Sequence, residues 1–275
     1  MIKRVLVDLS DTLRVRGIVE QATDVARRHQ AEVTAIVETG EDGAVSTGKR
    51  KAIAAARWAK QLRQQSVIDA RETMMAAVDE LRSHCSRQGI PFQIVERERD
   101  SMAETVDEFQ FYDLFICGTN LSFEDTSLES GSEELIRMVE QGVRPVLAVS
   151  DEFRPVKRVL ATLSGATDSA RTLKQFVRLK ICPDAMTEIV CFSDDERSQR
   201  LMTEATRYCR RHGVEPQCRV LQGPMNQSLL PHAVESEADL IVLGNSDHGR
   251  LARWFFGGTV MDIIRESDRS LFLSQ

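Results

Sequence analysis

Lys3-Arg4-Val5-Leu6-Val7-Asp8-Leu9-Ser10 returns 154 residues later as Lys157-Arg158-Val159-Leu160-Ala161-Thr162-Leu163-Ser164. Each copy is an apolar run that ends on small polar residues, the pattern of a strand buried on both faces. Two further segments repeat in the same order. Asp113-Leu114-Phe115-Ile116-Cys117-Gly118 matches Asp239-Leu240-Ile241-Val242-Leu243-Gly244 at an offset of 126. Arg144-Pro145-Val146-Leu147-Ala148-Val149 matches Arg269-Ser270-Leu271-Phe272-Leu273-Ser274 at 125. Three collinear matches mark a duplication. Its seam is Asp151-Glu152-Phe153-Arg154-Pro155, a short polar linker that ends in proline. Two domains are expected, residues 1–150 and 154–275.

The change of offset locates an insertion. Glu32-Val33 aligns with Glu188-Ile189 at 156, and Gly89-Ile90 with Gly213-Val214 at 124. The fall from 154 at the first strand to 126 at the fourth gives the first copy 28 extra residues, placed near residues 38–88. Within that stretch Val67, Met74, Val78, Leu81 and Cys85 make an apolar stripe at helical spacing. Ile53, Trp58 and Leu62 do not continue its register, so two helices or a change of face is expected there. Their stripe is read as a cover over the core, with partner docking as the alternative.

In the second copy, apolar runs at 158–163, 188–192, 217–221, 239–244 and 270–273 alternate with helical patterns at about 168–180, 195–212, 228–236 and 259–266. Such alternation with short connections gives a right-handed, doubly wound α/β sheet. The expected architecture is two flavodoxin-like domains, each a five-stranded parallel sheet with helices on both faces. The last strands, Val146–Val149 and Leu271–Leu273, are apolar edge candidates. They are expected to meet near an internal two-fold axis, making the chain a pseudo-dimer.

Composition narrows the function classes. The chain has 275 residues, 42% hydrophobic and 28% charged, with a net charge of −6. It is long enough for a large core without staples. The arginines are scattered along helices between acids, so no basic face for nucleic acid is expected. No apolar run is long enough for a membrane span, and Asp8 comes too early for a signal peptide. Six cysteines at 85, 117, 182, 191, 209 and 218 lack C-x-x-C spacing. Neither a zinc site nor a disulfide framework is expected, and unpaired thiols suit the cytoplasm. Cys117 and Cys191 fall inside strand-like runs as small hydrophobes. His29, His84, His212 and His232 are read as helix-surface residues.

Ligands of such sheets bind at the carboxyl ends of the strands. The fourth strand of the second copy ends at Gly244, and Asn245-Ser246-Asp247-His248-Gly249 follows. Gly257-Gly258-Thr259 then opens a helix. Glycines let backbone N–H groups approach an anion, and a helix N-terminus favours one, so the segment suits phosphate. Glycines that merely make turns are the alternative. Gly43-Ala44-Val45-Ser46-Thr47-Gly48-Lys49-Arg50 is one residue short of a P-loop. Arg50 stands where Mg²⁺ needs a hydroxyl, and Glu38, Glu41 and Asp42 precede it, so it is read as a loop. No nucleophile–base–acid set or Gly-x-Ser-x-Gly elbow is present around Ser10, Ser164 or Ser246.

These segments resemble the universal stress protein family in its tandem two-domain form, over the whole chain apart from the insertion. Nucleotide-binding members carry Gly-x2-Gly-x9-Gly followed by Ser or Thr after strand 4, and an Asp ending strand 1. Here Gly244 and Gly257 match the outer glycines, and Gly223-Pro224 resembles the turn after strand 3. The resemblance implies a cytoplasmic stress-response protein that is not a classical enzyme. It would bind ATP, AMP or a related small ligand, with Mg²⁺ if a triphosphate is held. The implied second-copy site is Thr162, Ser164, Gly223, Gly244, Asn245, His248, Gly249, Gly257, Gly258 and Thr259. Weaker first-copy counterparts are Asp8, Gly118, Gly131 and Ser132. Departures are Asp247 for the middle glycine, Thr162 for the strand-1 acid and Leu121 for the first copy's middle glycine. A member that has lost nucleotide and acts through protein partners is the alternative. An ATP-hydrolysing or adenylating enzyme is the more distant one. Self-association through edge strands or helices is also expected.

Overall fold

The computed structural model describes residues 1–11, 13–38, 72–97, 101–119, 121, 131–143, 145–150, 154–244 and 258–274. The inserted loop, the near-P-loop and Trp58 lie outside these residues.

The first copy supplies strands β1 (Arg4–Asp8), β2 (Glu32–Glu38), β3 (Phe92–Arg97), β4 (Leu114–Gly118) and β5 (Val146–Val149). The second supplies β6 (Arg158–Leu163), β7 (Met186–Cys191), β8 (Gln217–Val220), β9 (Leu240–Gly244) and β10 (Ser270–Ser274). Between them run helices α1 (Val15–His29), α2 (residues 72–87), α3 (Met102–Phe109) and α4 (Gly131–Glu140). Their counterparts are α5 (Thr167–Leu179), α6 (Glu196–Arg211), α7 (Met225–Glu235) and α8 (Gly258–Glu266).

Each set of five strands is parallel, as expected, with the third, second, first, fourth and fifth strands side by side in that order. The two sets are not separate sheets. They join into one ten-stranded sheet, β3-β2-β1-β4-β5-β10-β9-β6-β7-β8. The join is the antiparallel pair β5–β10, where Leu147 faces Phe272. These two residues are also equivalents in the repeat, so the pseudo-two-fold axis passes between them. Val146, Leu147, Ala148, Leu271 and Phe272 are fully buried there, and Phe176 stacks edge-on against Phe272 at 5.3 Å. Away from the sheet, Arg265 pairs with Glu133, Arg28 with Asp184 at 3.3 Å, and the His29 ring with the Lys180 carbonyl at 3.1 Å. The hydrophobic core consequently forms two layers, one per face of the sheet, and each runs through both copies.

The repeated Lys-Arg and Asp have a backbone role. The Asp113 carboxylate accepts from the N–H groups of Lys3 and Arg4, at 2.6 and 3.0 Å. Asp239 does the same for Lys157 and Arg158, at 2.8 and 3.0 Å. In each copy an acid at the start of the fourth strand thus satisfies the donors that open the first.

The ladder corrects the alignment at the second strand. Arg4 faces Glu32 and Arg158 faces Met186, so β2 and β7 correspond at 154, not 156. Thr34, not Glu32, is the counterpart of Glu188. Two of the histidines read as surface residues are buried: His29 at 9% exposure and His232 at 8%. His232 is held by Glu188 at 2.9 Å, and Arg219 takes the other carboxylate oxygen at 2.8 Å. Burial would push Glu188 up, but the bonds from Arg219 and His232 outweigh it and hold the carboxyl below its usual value. Helix periodicity alone could not place His232, because α7 lies over the sheet near Glu188.

Because both core layers cross the join, we expect Phe272→Ala to destabilise the whole chain by about 3–5 kcal/mol. Denaturant unfolding followed by circular dichroism should show one transition moving as a unit. A second transition left at its original midpoint would mean that the copies fold independently.

Candidate functional site

The carboxyl ends of β1 and β4, and of β6 and β9, form two equivalent places in the sheet. The side chains that fill them differ.

In the first copy β1 ends on Asp8, 2% exposed. Its Oδ1 accepts the Ser10 N–H at 2.7 Å, while Oδ2 is buried with no hydrogen-bond partner among the described residues. Burial pushes the Asp8 carboxyl above its ordinary value, against the pull of the Ser10 bonds and the Arg97 charge. Asp11, also buried, pairs with Arg14 at 2.9 Å. Its carboxylate lies over the end of β4. A Cβ built on Gly118 would come within 2.2 Å of Asp11 Oδ2. Glycine at 118 is needed there to admit the carboxylate. Arg97, at the end of β3, is buried and donates to Thr105 Oγ1 and the Glu104 carbonyl. Leu121 is buried in the core, and Ser132 and Glu134 are buried in the first turn of α4. The Cys117 thiol beneath is pushed up by burial and by the Asp8 and Asp11 charges.

In the second copy Thr162 replaces Asp8 and Gly165, with φ of +84°, replaces Asp11. The buried Thr162 hydroxyl donates to the Val242 carbonyl at 3.1 Å, tying β6 to β9. Ser164 is exposed, and its N–H donates to Ser169 Oγ at 3.2 Å. Ser169 Oγ in turn donates to the Ala166 carbonyl at 2.8 Å, and α5 starts with no side-chain N-cap. A Cβ on Gly244 would fall 2.5 Å from Ser169 Cα and 2.8 Å from its nitrogen. The first turn of α5 therefore rests on the end of β9, where the first copy has a carboxylate. Gly223, with φ of +91°, turns the chain between β8 and α7.

Thr162, Ser164, Gly244 and the start of α8 at Gly258 thus share one end of neighbouring strands. Asn245, His248, Gly249 and Gly257 lie outside the described residues. Asp8, Gly118 and the start of α4 at Gly131 with Ser132 come together in the same way in the first copy. Sequence reasoning missed Asp11 and Ser169. Each lies in the connection or first turn after the first strand, where no periodic signal marks a residue that folds back over a glycine. Among the described residues no group of three or more His, Cys, Asp or Glu could hold a metal, and no helix is long and apolar enough to cross a membrane.

Residues 146–273 match the model of the universal stress protein family. A search of curated proteins found no match. Among solved structures, the chain is similar to a universal stress protein from Archaeoglobus fulgidus DSM 4304, at 15% identity and a TM-score of 0.62. That similarity covers 99% of this chain and 96% of the other. A functionally unknown protein from Pseudomonas aeruginosa PAO1 gives 15% identity and a TM-score of 0.60, over 99% and 92%. At that identity both likenesses establish the fold.

Two substitution sets check this geometry. Gly118→Ala should cost about 1–3 kcal/mol, and Asp11→Gly should relieve that cost because the obstacle is the Asp11 side chain from its Cβ outward. Gly244→Ala should cost at least as much with no such rescue, since its obstacle is backbone. Additive effects of Gly118→Ala and Asp11→Gly in thermal unfolding would show that they do not touch. The second set concerns pH. A carboxyl whose folded pKa lies above its unfolded one contributes stability at low pH and loses it as pH rises. Asp8→Asn should therefore gain stability over the parent as pH rises from 4 to 8, read as a growing difference in Tm.

Proposed function

Residues 146–273 belong to the universal stress protein family, and we propose on that premise that the whole chain is its tandem form. The two domains are residues 1–150, with the insertion, and 154–275. The second is the one that takes a nucleotide such as ATP or AMP, with Mg²⁺ only as the companion of a triphosphate. The chain acts in the cytoplasm as a ligand-binding stress-response protein without turnover.

One observation carries the choice of half. In the first copy two buried carboxylates, Asp8 and Asp11, stand at the strand ends, and Asp11 covers Gly118. The Asp11 side chain fills the space over Gly118 that a phosphate would have to reach. In the second copy the same positions are a hydroxyl, Thr162, and a glycine, Gly165. The glycine-bearing segment from Gly244 to Gly258 leads from β9 into the N-terminus of α8, where backbone donors favour an anion. Thr162, Ser164, Gly223, Gly244, Asn245, His248, Gly249, Gly257, Gly258 and Thr259 are the proposed contacts.

Calorimetric titration with ATP and AMP, with and without Mg²⁺, tests the reading. We expect saturable binding that Gly257→Glu weakens at least tenfold, because charge and bulk meet a phosphate at the backbone. Asp11→Ala should leave it unchanged. Equal affinity in Gly257→Glu would remove the second copy as the site. Absence of binding in the parent chain would favour the form that acts through protein partners.

A further inference from the structure

The two copies share a framework but not a filling. In α2 the apolar stripe Met74, Ala77, Val78, Leu81 and Cys85 is buried. α6 is its counterpart, aligned by Cys85 with Cys209 and Gly89 with Gly213. There the equivalents of Met74 and Leu81 are Ser198 and Ala205, and Cys209 is the one buried residue of the helix. Ala205, standing where the first copy has Leu81, lines a cavity of about 410 Å³ between α5 and α6. Its floor is Leu163, Leu173, Leu201 and Ala205, and its mouth carries Lys174 and Arg211.

The volume lies within the range of small-molecule sites. A hollow of this kind forfeits packing, so an apolar occupant regains what Leu81 provides in the first copy. The mouth states the charge of that occupant. Glu204 there is already paired with Arg207 at 3.9 Å. Among the described residues neither Lys174 nor Arg211 has a carboxylate partner, and the Lys174 ammonium sits 5.8 Å from the Tyr208 ring centre. An apolar floor with two uncompensated cations at its rim complements an amphiphilic anion. We propose that the α5–α6 cleft binds a medium-chain carboxylate, its chain against Leu163, Leu173 and Leu201 and its head between Lys174 and Arg211. This site lies between helices, apart from the glycine-rich segment, and does not depend on nucleotide binding.

The test titrates the full chain with hexanoate, octanoate, decanoate and decanol, followed by calorimetry and by NMR of the side chains lining the cleft. Affinity should rise roughly fourfold per methylene. Decanoate should bind about tenfold more tightly than decanol. Lys174→Gln with Arg211→Gln should abolish that preference while leaving decanol unchanged. Ala205→Leu restores the residue of the first copy, so it should fold with equal or higher Tm and lose decanoate at least tenfold. Three results would overturn the proposal: no saturable binding of decanoate, equal affinity for decanol, or binding that survives Ala205→Leu in a folded chain.

Discussion

The antiparallel contact between Val146–Val149 and Ser270–Ser274 is the constraint on which the rest of the molecule depends. A five-stranded parallel sheet leaves its last strand as an apolar edge, and an open apolar edge seeks a partner. A duplicated chain carries that partner within itself. Leu147 meets its own repeat equivalent, Phe272, so the self-complementarity of a two-fold dimer interface is satisfied inside one chain. The pairing also aligns the helices on both faces. Both core layers therefore cross the join, and Arg28, His29 and Glu133 find partners in the other copy.

Once the copies share a core they need not share a chemistry. Equivalent strand ends have diverged in opposite senses. In one, Asp8 places a carboxylate at the end of β1 and Asp11 places another over Gly118. In the other, the Thr162 hydroxyl donates to the Val242 carbonyl and the first turn of α5 takes the space over Gly244. Both glycines are required by close approach, but what approaches differs, a side chain in one and backbone in the other. The same independence operates between the helices. Leu81 is fully buried in the core, while its counterpart Ala205 lines an open cleft.

Much of the architecture was legible before any coordinates. The collinear repeats, the strands apolar on both faces and the intervening helical periods define two doubly wound units, because burial and backbone periodicity are local properties. The meeting of the final strands followed from their unpaired edges. The repeated Lys-Arg and Asp were visible as a match, although their reason, an acid that caps the backbone donors of a neighbouring strand, was not.

Register, long-range contact and the filling of space were decided by tertiary structure alone. A two-residue slip leaves the same face of a strand buried, so periodicity could not separate an offset of 154 from 156 at β2, and only the ladder did so. His29 and His232 have surface patterns on their own helices, yet they are buried by elements remote in the chain. Asp11 and Ser169 acquire their roles because each folds over a glycine more than seventy residues away. The sequence by itself determined which segments form strands and helices and that they come twice. Which atoms then occupy the strand ends and the cleft beside α6 depends on distances between segments that no local pattern encodes.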